Sequence, residues 1–305
     1  MPEEKRNFPS TLVLIVLVLG LAVILGLGYF FINQDSKGTQ ETRNVGEDSA
    51  EVEQMTDTTA QETIVIFEDE ILENHVREKL NIPTGDITST DMLDLYLLSI
   101  SELGVTDLTG LEYAQGLAEF TLARENVKSL EPLKNLASLE RFSLRYSEIE
   151  ELPIEFSQDV NLNHVSIVNT QINDVTFLTH MTNVDHLTMT DAGITDISAL
   201  ENLNNVQQLN LRGNDIEDIS SLAGMNNLEI LNLQHNNVSD ISPLEGLEKL
   251  YDLVLSFNPV YNLKAIESLP SLSVLVIHLD HEVKHLIFDQ VEVLKNMGID
   301  VEYTR

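Results

Sequence analysis

An apolar pattern with a fixed period of 22 residues dominates the chain between residues 117 and 269. The first position of each repeat is held by Leu117, Leu139, Leu162, Val184, Val206, Leu228, Leu250 and Leu272. One step, from Leu139 to Leu162, is 23 residues long, and there Pro153-Ile154-Glu155-Phe156 replaces the usual end of the repeat. Chance does not maintain such a register, and a period of this length is the signature of a solenoid.

The physical basis of one repeat is visible between Leu209 and Met225. Leu209 and Leu211 are two residues apart, so they point to the same side of a short strand while their neighbours point to the other side. Leu222 and Met225 then line the returning half of the repeat. Each repeat therefore has an apolar interior that only its neighbours cover. We predict an α/β solenoid whose strands stack into a parallel, concave sheet.

A polar residue follows each predicted strand. Asn214, Asn236 and Asn258 occupy this position in three successive repeats. An asparagine there forms hydrogen bonds to backbone groups that a tight turn leaves unpaired. The earlier repeats have other residues at the position: Glu125, Ser147, Thr170 and Ala192. The N-terminal half of the solenoid is therefore expected to be less regular.

The repeats resemble a known family. Leucine-rich repeats of 22 residues, with the segment Val238-Ser-Asp-Ile-Ser-Pro-Leu244 ending the repeat, are similar to those of the internalin-type surface proteins of Gram-positive bacteria. The resemblance covers roughly residues 63 to 270. It implies a leucine-rich-repeat domain with a helical N-terminal cap and a C-terminal cap. It does not specify a ligand, because one scaffold hosts many unrelated partners.

The remaining sequence divides into flanking segments. We assign 1–10 to a short N-terminal tail, 11–32 to a transmembrane anchor, 33–62 to a disordered linker, 63–94 to the N-terminal cap, 95–279 to the repeats and 280–305 to the C-terminal cap. The linker has too few apolar residues to bury a core. In the N-terminal cap, Ile71, Leu72, Val76 and Leu80 form one helical stripe, and Thr88 can cap a second short helix. In the C-terminal cap, Val283 to Leu294 predict a helix that ends near Gly298, followed by a strand.

Residues 11–32 carry no charge, and as a helix they span about 33 Å, enough to cross a bilayer core. No small-residue cleavage site follows, so we expect an uncleaved, single-pass anchor. Lys5 and Arg6 favour a cytoplasmic N-terminus, although Lys37 and Arg43 lie close to the other end. The resemblance to surface proteins favours an extracellular repeat domain. Ala22 and Gly26 form a small-xxx-small pair that either packs two helices or simply faces lipid.

Composition excludes several classes of function. The net charge of −33 argues against nucleic acid and anionic membrane surfaces as partners of the repeat domain. The chain has no cysteine, which excludes disulfides, cysteine metal sites and a cysteine nucleophile.

Three positions per repeat project from the predicted sheet, and we call these 24 positions the concave face. They are Glu119, Thr121, Ala123, Arg141, Ser143, Arg145, His164, Ser166, Val168, His186, Thr188, Thr190, Gln208, Asn210, Arg212, Ile230, Asn232, Gln234, Asp252, Val254, Ser256, Val274, Val276 and His278. They hold three arginines and two acids, a net charge of +1, whereas residues 63–305 as a whole have a net charge of −27.

A face depleted of the prevailing charge is typical of a binding surface, although strands also prefer threonine, serine and valine over acids. We predict that it recognises a protein or glycan ligand, without catalysis, cofactor or metal. The candidate ligand-binding residues are Arg141, Arg145, Tyr146, His164, His186, Arg212 and Phe257. Tyr146 and Phe257 come just after the ends of their predicted strands.

Two motifs suggest other chemistry. Asp174, Asp196, Asp218 and Asp240 recur at the repeat period, and they either bind calcium or, as we expect, cap their own turns. His281-Glu282-Val283-Lys284-His285 matches the zinc-protease pattern H-E-x-x-H. The third ligand that such a site needs has few candidates, all of them acids: Asp289, Glu292, Asp300 and Glu302.

A membrane-tethered zinc protease is therefore an alternative function. His278, His281 and His285 remain candidates for adventitious metal binding. A structural subunit of an envelope complex, packed through the repeats, is the other alternative.

Overall fold

The computed structural model describes residues 62–152, 161–278 and 284–304, all within one compact unit, Thr58–Arg305. The predicted tail and anchor, the linker up to residue 61, Pro153-Ile154-Glu155-Phe156 and His281–Val283 lie outside the described residues. Among the helices that are described, none is long and apolar enough to cross a membrane.

Ten parallel strands form one sheet in which every strand pairs with the next strand along the chain. They are β1 (Leu97–Ser101), β2 (Glu119–Ala123), β3 (Arg141–Ser147), β4 (His164–Thr170), β5 (His186–Thr190), β6 (Gln208–Asn210), β7 (Ile230–Asn232), β8 (Asp252–Val254), β9 (Val274–His278) and β10 (Asp300–Thr304). This sheet confirms the predicted solenoid. Between β3 and β4 the register joins Arg141 to His164, 23 residues apart, where the sequence has its one irregular step.

Short 3₁₀ helices form the returning side of the repeats. They span Leu111–Tyr113, Glu131–Leu133, Thr176–His180, Ser198–Leu200, Ser220–Leu222, Ser242–Leu244 and Lys264–Ser268. The core lies between them and the sheet, where Leu209, Leu211, Leu222 and Met225 are at most 1% exposed. Burying a side chain of this size stabilises the fold by about 1.5–3 kcal/mol. The pattern of two inward leucines per strand therefore accounts for the stacking of the repeats.

The predicted asparagine position links each repeat to the one before it. Asn236 accepts a hydrogen bond from the Ile216 N–H at 3.1 Å through Oδ1, and its Nδ2 donates to the carbonyls of Leu211 and Leu233, each at 2.9 Å. Asn214 and Asn258 form the same pattern one repeat earlier and one repeat later.

In an earlier repeat, the carboxylate of Glu125 accepts bonds from three backbone N–H groups, those of Leu103, Gly104 and Val105. Glu125 therefore occupies the asparagine position with a side chain that accepts hydrogen bonds but does not donate them. Ser147 and Thr170 accept one bond each, from Ile149 and Ile172.

The residue before this polar position has a left-handed backbone in every repeat. The row consists of Glu102, Arg124, Tyr146, Asn169, Asp191, Gly213, His235 and Phe257, with φ between 51° and 73°. Seven of its eight members are not glycine. This backbone conformation changes the direction of the chain at the end of the strand. It places the eight residues, seven of them with side chains, in a row along the carboxyl ends of the strands, which we call the edge row.

The N-terminal cap consists of helix α1 (Glu70–Leu80) and the 3₁₀ helix Asp91–Asp94. Leu72 and Val76 are fully buried, but Ile71 is 44% exposed, so the predicted stripe is narrower than four residues. Asp69 caps α1 through the Ile71 and Leu72 N–H groups, at 2.9 and 3.0 Å. Its other carboxylate oxygen accepts the Thr106 N–H at 2.7 Å, which connects the helix to the first repeat.

The second helix of this cap begins with the bond expected for Thr88. The Asp91 N–H donates to Thr88 Oγ1 at 3.2 Å, and the Asp91 carboxylate accepts the Thr88 N–H at 2.8 Å. Each residue thereby satisfies a backbone donor of the other.

At the other end, helix α2 (Lys284–Asn296) is followed by Gly298 and by β10, which pairs with β9. Ile287, Val291 and Leu294 are buried against the last repeats. A helix followed by a strand is present here, as predicted, and β10 extends the sheet by one strand.

Candidate functional site

Most predicted positions of the concave face are accessible to a ligand. Of the 24 positions, 22 are partly or fully exposed, whereas Thr190 is 6% exposed and Ser256 is fully buried. The prediction that these two side chains project into solvent is wrong. Both side chains are short. Thr190 lies between Val168, of the same size, and the longer Arg212, and Ser256 lies between the longer Gln234 and His278.

Two predicted ligand-binding residues, His164 and His186, lie side by side because β4 and β5 pair in register at these residues. Their imidazole rings stack with centroids 4.0 Å apart and an angle of 21° between the planes. Asp185 joins them from the position before β5. Its Oδ1 accepts a hydrogen bond from His186 Nδ1 at 2.6 Å and lies 3.5 Å from His164 Nδ1.

The surroundings of His164 disfavour its protonated form. Burial lowers the pKa of His164 to about 4, and the charges of His186 and Arg141 act in the same direction, whereas Asp185 opposes them. Near neutral pH the imidazole of His164 is therefore uncharged.

Arg141 and Arg145 are exposed at the N-terminal part of the concave face. Arg141 Nε lies 3.8 Å from Glu119 Oε1, a distance for an ion pair rather than a hydrogen bond. Arg145 Nε donates to Ser143 Oγ at 3.1 Å. Exposed ion pairs of this kind are worth about 0–1 kcal/mol, so a ligand carboxylate can replace the partner of Arg141 at low cost.

Arg212 lies three strands away from Arg145, which corresponds to ~14 Å across the sheet. Its Nη1 is 3.4 Å from Asp191 Oδ2. The side chain of Asp191 lies over Gly213, where an added Cβ would be 2.1 Å from Asp191 Oδ1. Glycine at this position therefore makes room for the Asp191 carboxylate beside Arg212.

The edge row contains the two predicted aromatic residues. Tyr146, 49% exposed, falls within β3 rather than after it, and the guanidinium carbon of Arg124 lies 4.7 Å from the centre of its ring. Phe257 stacks between His235 and His278, with centroids 4.2 and 4.3 Å apart. Flat rings at the sheet edge are suited to apolar side chains or sugar rings of a ligand.

A groove of about 360 Å³ runs along the concave face from β4 to β8. His164 and His186 line one end and Asp252 and Val254 the other, with Ile230 between them. Burial raises the pKa of Asp252, and its Oδ1 is buried without a hydrogen-bond partner among the described residues. An unpaired buried oxygen is costly, so Asp252 is a second polar feature of the groove.

The structure brings some of the predicted site residues together and separates others. Arg141, His164 and His186 are neighbours in one row across β3, β4 and β5. Tyr146 and Phe257 lie five repeats apart in the edge row. The prediction thus identified parts of an extended surface rather than one pocket.

Sequence reasoning missed Asp185, Asp191, Arg124 and His235. The last three lie at the 22-residue spacing of Tyr146 and Phe257, so the repeat alignment contained a signal for them. Asp185 precedes its strand, and no periodic pattern marks its contact with two histidines.

The aspartates at the repeat period cap their own turns. Oδ1 of Asp174, Asp196, Asp218 and Asp240 accepts the N–H of the residue two positions on, at 2.8–2.9 Å. These bonds support the capping interpretation rather than calcium binding. They also lower the pKa of Asp196 and of Asp240.

The H-E-x-x-H segment is described only in its last two residues, Lys284 and His285, which begin α2. His285 is exposed there. His281 and Glu282 lie outside the described residues, so the geometry of a zinc-protease site is not tested.

Comparisons with known proteins agree with this architecture. A family model for leucine-rich repeats in two copies matches residues 204–246. Internalin C2 of Listeria monocytogenes is 29% identical, with a TM-score of 0.67 over 72% of this chain and 98% of that chain. A leucine-rich-repeat protein of Leptospira interrogans, 20% identical with a TM-score of 0.56 over 70% of this chain and 62% of that chain, shares the fold. No curated protein sequence matches significantly.

The stacked parallel strands and 22-residue repeats define a leucine-rich-repeat protein. Within that class the chain is similar to the internalins, since its likeness to internalin C2 extends over 98% of the chain in that structure.

Proposed function

We propose that the protein is anchored in the cell membrane by residues 11–32 and displays its repeat domain outside the cell, where the concave face recognises a protein or glycan ligand without catalysis. The observation that carries the proposal is the distribution of charge. The concave face has a net charge of +1 in a domain whose net charge is −27. An acidic domain whose concave face lacks the excess of negative charge repels general contacts by polyanions and leaves one surface for a specific partner.

The side chains of that surface fit such a role. Arg141 and Arg145 are exposed. Arg141 and Arg212 form only weak ion pairs, with Glu119 and Asp191 respectively. Arginine and aromatic side chains contribute most of the binding energy at protein interfaces. Phe257 and its two histidine neighbours supply a flat aromatic surface farther along the same sheet. We therefore expect the ligand to extend over several strands rather than to fill one pocket.

A charge-matched pair of variants tests the surface. Replacing Arg141, Arg145 and Arg212 together by serine removes three cations from the concave face. Replacing three exposed lysines outside that face by serine removes the same charge elsewhere: Lys128, Lys249 and Lys264. Both variants are made in the fragment 58–305, used on beads to capture and identify a ligand from envelope and extracellular preparations.

We expect the arginine variant to bind the identified ligand at least about 10-fold more weakly, since losing 1.4 kcal/mol is sufficient for that. The lysine variant should bind as the unmodified fragment does. Equal binding by all three proteins would place the site away from these arginines.

Location is tested separately by adding protease to intact cells that express the full chain with an epitope tag after Arg305. Loss of the tag from intact cells supports display outside. A tag that is degraded only after lysis would place the domain in the cytoplasm and refute the extracellular part of the proposal.

A further inference from the structure

We propose that His164, His186 and Asp185 form a binding site for a transition-metal cation of the zinc type on the concave face. One nitrogen of each imidazole and one carboxylate oxygen of Asp185 lie within 4.8 Å of one another. This is the one such group of three among the described residues. The inference does not depend on the proposed function, because it concerns the metal alone.

The strand geometry explains why these side chains converge. His164 and His186 occupy paired positions on adjacent parallel strands, which lie about 4.8 Å apart in a sheet. Zinc bonds of 2.0–2.2 Å in a tetrahedral site place neighbouring ligand atoms roughly 3.3 Å apart. His164 Nδ1 and Asp185 Oδ1 are 3.5 Å apart, close to this value.

Two small rearrangements complete the site. The bond between His186 Nδ1 and Asp185 Oδ1, 2.6 Å long, opens by roughly 0.7 Å as the metal replaces the proton between them. The rings are tilted by only 21°, so one imidazole rotates until both nitrogen lone pairs point at a common centre. Both side chains are about 30% exposed, which leaves them space to rotate.

The charges around the site are compatible with a cation. Asp185 supplies one negative charge, and each histidine would bind the metal through a neutral imidazole nitrogen. Arg141, the neighbour of His164 on β3, carries a positive charge that opposes cation binding. Glu119, 3.8 Å from the guanidinium of Arg141, offsets part of that charge. On the other side the neighbour of His186 is the neutral Gln208.

The donor set selects the metal class. Imidazole nitrogens suit zinc, copper and nickel, whereas calcium and magnesium require several oxygen ligands. Three protein ligands leave one tetrahedral position open toward the groove, where a carboxylate or imidazole of a bound partner could complete the coordination. A metal here would thus give the concave face affinity for a ligand with such a group.

The test is a zinc titration of the full chain, purified in detergent without a polyhistidine tag, followed by calorimetry. We expect one zinc ion per chain with no competition from a hundredfold excess of calcium. His164→Asn with His186→Asn should abolish this binding, and Asp185→Asn should weaken it about 10–100-fold. Cobalt(II) bound at the same site should show the intense visible absorption of a four-coordinate ion.

A second pair of substitutions, His281→Asn with His285→Asn, is the matched control and removes the histidines of the other candidate metal segment. Zinc binding that survives the first pair and is lost with the second would overturn the proposal, as would the absence of zinc binding. Circular dichroism and the melting temperature establish that the variants fold, which we expect for His164, Asp185 and His186 because these side chains are partly exposed.

Discussion

The hydrogen bonds of Asn214, Asn236 and Asn258 connect successive repeats, and we call them the asparagine ladder. They lead to a quantitative prediction for Asn236, which is 5% exposed. In Asn236→Ala the Ile216 N–H loses its acceptor. The carbonyls of Leu211 and Leu233 each lose one bond but keep another, from Asn214 and Asn258. One buried donor without a partner costs about 1–3 kcal/mol, and the two weakened carbonyls add about 1 kcal/mol. We expect the free energy of unfolding to fall by about 2–4 kcal/mol.

Urea unfolding of the fragment 58–305, followed by circular dichroism, measures this loss. Asn237→Ala is the control, because Asn237 is the adjacent residue of the same type, is exposed, and its side chain makes no hydrogen bond with another described residue. It should change the free energy of unfolding by less than about 0.5 kcal/mol. If the two variants are equally stable, the ladder does not stabilise the solenoid.

Double variants test the shared acceptor. Asn214 and Asn236 both donate to the Leu211 carbonyl, so replacing both by alanine leaves that carbonyl without either bond. The combined loss should exceed the sum of the single losses by about 0.5–3 kcal/mol. Asn214 and Asn258 share no acceptor, and their double variant should be additive. Equal coupling in both pairs would refute the assignment of these bonds.

Three further predictions concern local features, all measured by unfolding of the same fragment. Gly213→Ala should destabilise by about 1–3 kcal/mol, because φ is +73° and the new Cβ would be 2.1 Å from Asp191 Oδ1, and Asp191→Ala should relieve part of this cost. Leu231→Ala should cost about 2–5 kcal/mol, because the side chain is fully buried, and a smaller loss would mean that the core collapses around it. Burial acts to raise the pKa of Asp69, but bonds from Thr106 and α1 outweigh it and lower the pKa. The pKa of Asp69 in the folded state is then below the unfolded value of about 3.9. The stability that the unmodified fragment has over Asp69→Asn should therefore be complete above that value and be lost as the pH falls through the folded pKa. A difference in the free energy of unfolding that stays constant between pH 7 and pH 2 would contradict this.

Several features of the fold followed from the residues alone. A residue such as Leu209 or Leu231 is inward because the strand alternates and because each repeat has the same length. Asn236 was predicted to satisfy the turn since few other side chains both donate and accept there. These predictions succeeded because they depend on local geometry that recurs 22 residues later. Ile71 is the counterexample: its exposure depends on how α1 lies on the first repeat, which a helical stripe does not specify.

Less of the candidate site could be predicted from the residues alone. The sequence placed His164 and His186 on one face, since the period aligns them, but it contained no sign that Asp185 contacts both. That contact depends on side-chain rotation between neighbouring strands. Ser256 was expected to project, yet it is covered in the row by its longer neighbours.

The sequence by itself determined the repeat, the parallel sheet and the side of each strand that faces the core, because these follow from periodicity and the burial of leucine. Only the tertiary structure decided which polar groups meet across strands, such as the two histidines and Asp185, or Arg212 and Asp191. The physical reason is that inter-strand contacts depend on side-chain rotamers, which the repeat does not constrain, and on the identity of flanking residues such as Asp185, which no periodic pattern marks.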